Sequence, residues 1–321
     1  MSSPPEPKTS NPVPPPPAFH YEYTVIPDLF HQSSPSTSDL TFDFKKENFG
    51  LVDRAYPSDP TAPDQRPWTR FTHHLQTLNS ALPPDQKVKL LFLARHGQGT
   101  HNVAESTHGT PAWEAVYARN PAYTDAPLTP LGVSQARAVH DLWAAQLARG
   151  MPAPHIYYVS PLTRALQTAD ATFLALPLPH AAPYTPCVRE RFRETLGIHT
   201  CDARRPLSAL RAAFPHAVFE PDFAEEDTLW DAQRRETDAE RAVRVGRGLD
   251  AVFEGGEGVV SVTSHSGVVG SALGVLGHRG WALETGGVVP VVVLGRRVEG
   301  ERAEGLAEER GEAALERTGD V

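Results

Sequence analysis

Two strand ends carry the chemistry this sequence can do. Arg95-His96-Gly97 closes an apolar run from Val88 to Ala94, and His265-Ser266-Gly267 closes a second, Gly258 to Thr263. Both runs have strand length, so each delivers an imidazole to a strand's carboxyl end, where ligands bind in open α/β sheets. A neutral imidazole can act as a nucleophile. The neighbouring Arg95 offers planar, bidentate donors for phosphate oxygens and keeps its charge at any working pH. Gly97 and Gly99 remove side-chain bulk beside His96, which is expected to let backbone amides and an anion approach closely. The set suits attack on a phosphoryl group.

Other charged groups fall near the same predicted edge. Ile156 to Val159 reads as a short strand, and Ser160-Pro161 opens the helix that carries Arg164 one turn inside. Arginine gains nothing from the positive end of a helix dipole, so an anion held by both is expected there. After a strand candidate at Pro183 to Val188 comes the charge-dense run Arg189-Glu190-Arg191-Phe192-Arg193-Glu194. This is either a solvated face of paired charges or the source of a carboxylate that works as acid and then base.

Four stretches stand in one order: Arg95-His96-Gly97 through Asn102, Ser160-Pro161-Leu162-Thr163-Arg164-Ala165-Leu166-Gln167-Thr168-Ala169, Arg193-Glu194-Thr195-Leu196-Gly197, and Val262-Thr263-Ser264-His265-Ser266-Gly267. In that order and context they resemble the histidine phosphatase superfamily, and in particular its plant and fungal phosphoglycerate-mutase-like branch, from about Val88 to about Leu294. The resemblance implies a three-layer α/β/α sandwich with a mostly parallel central sheet. It implies His96 as the nucleophile that becomes a phosphohistidine, and Arg95, Arg164, Asn102 and His265 as phosphate contacts. It selects Glu194 for proton transfer, with His265 in the catalytic set and Glu190 in reserve. Arg204 or Arg205, beside a branch-like Gly197 to Asp202, could reach a distal anionic group. Metal and cofactor are not implied, because cationic side chains neutralise the phosphate. A phosphomonoesterase acting on a small phosphate ester is the favoured activity, and a phosphoglycerate-mutase-type transfer or a catalytically silent phospholigand-binding protein are the alternatives.

The elements that must hold these residues are legible from pattern. Thr129 and Pro130 open a helix with Leu131, Val139, Leu142, Trp143 and Leu147 at helical spacing. Trp68 to Leu82 and Glu236 to Phe253 also read as helices, with His73 and His74 facing solvent. Val103 to Pro127 is expected to be loop with a short helix at Ala112 to Tyr117. Val288 to Leu294 reads as a strand, and Pro290 suggests an edge position. The acidic run Asp222 to Trp230 lacks the spacing and glycine of a calcium loop and reads as solvated surface.

Composition sets the outer bounds. The 321 residues can bury a sizeable core, and the net charge of -9 argues against nucleic acid or an anionic membrane as the main partner. No apolar span approaches the roughly 20 residues a membrane helix needs. The opening residues do not have the basic-then-apolar order of a secretory signal, and Cys187 and Cys201 cannot make a disulfide framework, so a cytoplasmic or nuclear setting is expected. Residues 1–18, with eight prolines, read as a disordered arm. A catalytic domain is expected over 19–296, its aromatic-rich extension 19–87 packed on it either as padding or at the pocket mouth, with a flexible Glu/Arg-rich tail over 297–321. Oligomeric state leaves no mark in the sequence.

Overall fold

The computed structural model describes residues 19–59, 66–179 and 183–302. The proline-rich arm and most of the predicted tail lie outside the described residues. In chain order the elements are β1 (Phe19–Val25), α1 (Pro67–Ala81), β2 (Gln86–Arg95), α2 (Thr100–His108), α3 (Thr110–Ala115), α4 (Pro130–Leu147), β3 (Ile156–Val159), α5 (Thr163–Phe173), β4 (Pro186–Val188), α6 (Leu207–Ala213), β5 (Val218–Phe219), α7 (Asp238–Glu254), β6 (Val259–Ser264), α8 (Ser266–Leu276) and β7 (Val288–Glu299). The strands form one sheet in the order β1-β7-β2-β6-β3-β4-β5. β7 runs antiparallel to both its neighbours, while the pairings from β2 through β6, β3, β4 and β5 are all parallel. The sheet is therefore mostly parallel.

Side chains alternate across the pleat and build two cores. Leu90 and Phe92 of β2 face α1, α4 and α5, where Phe71, Trp143 and Phe173 are buried. Leu91 and Leu93 face α7 and α8, against Leu249, Phe253 and Leu273. Apolar on both faces, β2 could only be an interior strand of a three-layer sandwich. No helix among the described residues is long and apolar enough to cross a membrane.

Several boundaries differ from the sequence pattern. β7 is not an edge strand, because β1 pairs along it. That pairing begins only at Val293, however, so Pro290 lies where β2 alone has a register partner for it, and the missing N–H is not required by β1. β7 also runs to Glu299, past both its expected end and the expected domain boundary at 296. The Val103 to Pro127 segment begins inside α2, a helix whose start Asn102 caps by accepting from Gly99 N–H at 2.9 Å. His74 does not point freely into solvent; its ring stacks on Tyr56 at 4.5 Å.

Register places the chemistry. Arg95 of β2 pairs with Ser264 of β6, and Val159 of β3 with Thr263. His96, Ser160 and His265, each one residue past its strand, therefore emerge side by side at the carboxyl edge, tied by His96 N–H to Ser264 O (2.9 Å) and Ser160 N–H to Thr263 O (3.1 Å).

Candidate active site

His96 is buried, and its Nδ1 lies 2.6 Å from the Gly97 carbonyl oxygen. A carbonyl only accepts, so the neutral ring carries its proton on Nδ1 and presents the Nε2 lone pair. Burial first, then the charges of Arg164 and Arg95, hold this imidazole well below its usual range. The ring is thus neutral and nucleophilic at neutral pH. Nε2 accepts from Arg164 Nε at 3.2 Å.

Arg164 is 1% exposed and fully engaged: Nη1 donates to the Cys201 carbonyl at 2.6 Å and Nη2 to Asp202 at 2.9 Å. The anion expected at this helix start is supplied by the protein. Asp125 accepts from Thr163 N–H at the first turn of α5 (2.7 Å), and Asp202 pairs with Arg164 itself. Arg95 spends Nη1 on the Leu283 carbonyl (2.7 Å), while its enclosed Nε has no partner among the described residues. Arg95 therefore keeps a donor for a ligand.

His265 sits against His96 with ring centroids 5.0 Å apart, entirely enclosed, and shares Nε2 with the Ser160 hydroxyl at 2.7 Å. Its Nδ1 has no partner among the described residues. Burial and the cluster's positive charges push its pKa well down. The pocket wall at this strand end is Ser266 and Gly267 rather than His265. Glu194 lies across the cavity, its carboxylate accepting from Thr195 N–H (2.9 Å), the Thr195 hydroxyl (3.2 Å) and Gly267 N–H (3.2 Å). Asn102 lines the pocket, but its Oδ1 is taken by Gly99 N–H at 2.9 Å.

Glu190 is not in this wall. It pairs with the buried guanidiniums of Arg193 and Arg204, so the reserve proton donor is a structural anion. Arg193 also binds Asp227, which turns a residue of the supposedly solvated acidic run into an internal counter-charge. Arg204 and Arg205 are likewise spent within the protein, Arg204 on Glu190 and backbone carbonyls, Arg205 on Asp125 and the Thr163 hydroxyl. Gly97 is small for a different reason than anion access: a Cβ there would lie 2.3 Å from the Gly132 carbonyl, at the first turn of α4.

Sequence reasoning missed His101, which is buried, lines the pocket and sits 5.5 Å from His96 ring to ring. It follows His96 by five residues, but no helix was expected before Val103, so nothing in the pattern turned its ring inward. Asp202 and Arg235, paired at 2.9 Å, were also missed. His199, Cys201 and Asp202 bring ligand-type atoms within 4.8 Å of one another. They do not make a cation cradle, since Asp202 already holds two guanidiniums, His199 is bonded to Glu114, and burial keeps the Cys201 thiol protonated. The cavity measures about 250 Å³. A roomier one of about 470 Å³ lies under the aromatic extension, and no histidine or arginine lines it. No residue of 19–59 lines the His96 pocket.

A buried neutral imidazole facing a guanidinium-lined pocket, at the carboxyl edge of a mostly parallel sheet, defines a phosphoryl-transfer site. A profile of the histidine phosphatase superfamily (branch 1) matches residues 91–286, and the chain belongs to that superfamily. It is 41% identical to a "Probable phosphoglycerate mutase" of Arthroderma benhamiae over 84% of each chain. With the "Probable phosphoglycerate mutase PMU1" of Saccharomyces cerevisiae it shares 34% identity over 68% of this chain and 87% of that protein. Among solved structures it aligns with the ecdysone phosphate phosphatase of Bombix mori in complex with tungstate, at 18% identity and a TM-score of 0.40, over 58% of this chain and 76% of the other. The chain is accordingly an enzyme of the phosphatase and mutase class, with a phosphoglycerate-mutase-like fold.

Proposed function

We propose that the protein is a phosphomonoesterase that hydrolyses a small phosphate ester through a phosphohistidine on His96, with no metal taking part. The observation that carries this reading is the His96 tautomer: Nδ1 is committed to the Gly97 carbonyl, which leaves Nε2 as the nucleophilic atom at the pocket. A bound phosphate replaces the Arg164 Nε–H contact with its own oxygens and opens the line of attack. Arg95 Nε and Arg164 then stabilise the transferring group, with Asn102 Nδ2 at its rim, while His265, enclosed against the His96 ring, backs the nucleophile. Glu194, in its protonated form, gives a proton to the leaving alkoxide, and as carboxylate removes one from the water that attacks the phosphoenzyme.

The test is hydrolysis of an aryl phosphate by wild type and His96→Ala, with trapping of labelled phosphoenzyme after acid-free quench. Loss of both turnover and label supports the reading, and label retained by His96→Ala overturns it. The names carried by the fungal relatives favour a second reading, transfer of the phosphoryl group to another hydroxyl of the same molecule. A coupled assay for phosphoglycerate interconversion beside free phosphate release separates the two.

A further inference from the structure

Beyond the phosphate cradle, the pocket has an outer wall made by α2, α3 and the segment after Glu194. Its charge is unusual for a site that must take an anion. Among the described lining residues the carboxylates are Glu105, Glu114, Glu194 and Asp202, and the guanidiniums are Arg95, Arg164 and Arg235. The carboxylates outnumber the guanidiniums, and two of the three guanidiniums are bound to Asp202. Arg235, the one on the outer side, also donates through the same Nη1 to the carbonyls of Thr195 (3.0 Å) and Gly197 (2.7 Å). His199 shares its Nε2 with Glu114 at 2.9 Å. The basic groups of the outer wall are therefore each paired with a carboxylate, Arg235 with Asp202 through Nη1 and His199 with Glu114.

Glu105 is differently placed. It is half-buried in α2, and among the described residues its carboxylate accepts from the Thr110 hydroxyl alone, at 3.1 Å to Oε1, which leaves the rest of the carboxylate for the cavity. Its field reaches Arg95, where it partly opposes the effect of burial on that guanidinium. Trp113, buried beside it, adds a flat apolar surface. A second phosphate or a carboxylate on the substrate would meet Glu105 and Glu114, while Arg235 on that side is already paired with Asp202, so repulsion outweighs attraction. A hydroxyl or an ammonium group would find acceptors.

Resting on the phosphatase reading above, we infer that the outer pocket selects phosphate monoesters whose alcohol portion is neutral or cationic, and that Glu105 and Glu114 are the residues that reject a second anionic group. The inner cradle recognises the phosphate that all candidate substrates share, so discrimination falls to this wall. It also disfavours mutase chemistry on phosphoglycerate, whose substrate and bisphosphorylated intermediate both carry extra negative charge.

The test uses three esters of similar size that differ at the end away from phosphate: phosphoethanolamine (cationic), glycerol 1-phosphate (neutral) and 3-phosphoglycerate (anionic), with an aryl phosphate as control. Full-length wild type is expected to hydrolyse the first two with a kcat/KM at least ~10-fold above that for 3-phosphoglycerate. Glu105→Gln with Glu114→Gln, which keeps the size and an acceptor for Thr110, is expected to shrink that ratio by about 10-fold. Equal or better use of 3-phosphoglycerate by wild type, or an unchanged ratio in the variant while aryl phosphate is still turned over, overturns the inference. If wild type turns over no ester, the aryl phosphate included, the phosphatase reading itself falls and takes this one with it.

Discussion

At the scale of single residues, the site is a set of commitments. His96 gives up Nδ1 to a carbonyl, Arg164 gives up both terminal nitrogens to Cys201 and Asp202, and Glu194 is pinned between Thr195 and Gly267. Pinning makes the carboxylate's position sensitive to its neighbour. A Cβ on Gly267 would lie 2.5 Å from Glu194 Oε1, so Gly267→Ala should push the carboxylate aside and lower kcat about 100-fold or more with little change in Tm. Wild-type kcat in that variant would remove Glu194 from the chemistry. Glu194→Gln should lose most with alkyl phosphates, whose leaving groups need a proton, and least with activated aryl phosphates. A uniform loss across leaving groups would mean that Glu194 is not the acid.

At the scale of elements, buried charges do the joining. Asp250 of α7 accepts from the Tyr21 N–H (3.0 Å), the Tyr23 hydroxyl (2.8 Å) and Arg302 (2.6 Å), so one carboxylate ties β1 and the chain after β7 to the helix layer. Asp250→Ala leaves the buried Tyr23 hydroxyl without its acceptor and Arg302 without its counter-charge and should cost roughly 3 kcal/mol. Urea unfolding measures the loss, and hydrogen exchange should show it concentrated in Phe19–Val25; uniform exchange across the sheet would contradict this linkage. The start of α7 is held by a reciprocal cap between Thr237 and Glu240, and its end by Lys87 and Lys89, which donate to carbonyls from Phe253 to Glu257. Thr237→Ala should cost about 1 kcal/mol, far less than the buried network.

At the scale of the whole molecule, buried neutral histidines set the response to acid. Burial lowers His278 to about 4, and His96, His101 and His265 are held well below their usual value by burial and by Arg164. Each has a folded pKa under its unfolded one, so the unfolded chain binds more protons below about pH 6.5. Their contribution is present above pH 6.5 and is lost as pH falls toward 4, His278 alone accounting for about 3 kcal/mol. Urea midpoints should fall steadily over that window. His278 bridges the end of α8 to Ser33 of the extension, and His278→Gln should flatten part of the slope. An unchanged slope would assign the acid response to other groups.

The sequence by itself determined the fold class, the strand ends that carry His96 and His265, and the helix that carries Arg164. It could do so because doubly apolar strands, caps and strand-end glycines are local signals. Charge pairing was not local. Whether Glu190 or Glu194 faces the cavity, that Asp125 and Asp202 are the anions which satisfy α5 and Arg164, and that Arg204, Arg205 and Asp227 are internal all depend on which distant groups share a buried space. His101 belongs with them: it entered the site because α2 turned its ring inward. Only the tertiary structure decided how much of the positive charge was left for a substrate, since every guanidinium spent on a carboxylate or carbonyl is subtracted from binding by a contact the linear order does not show.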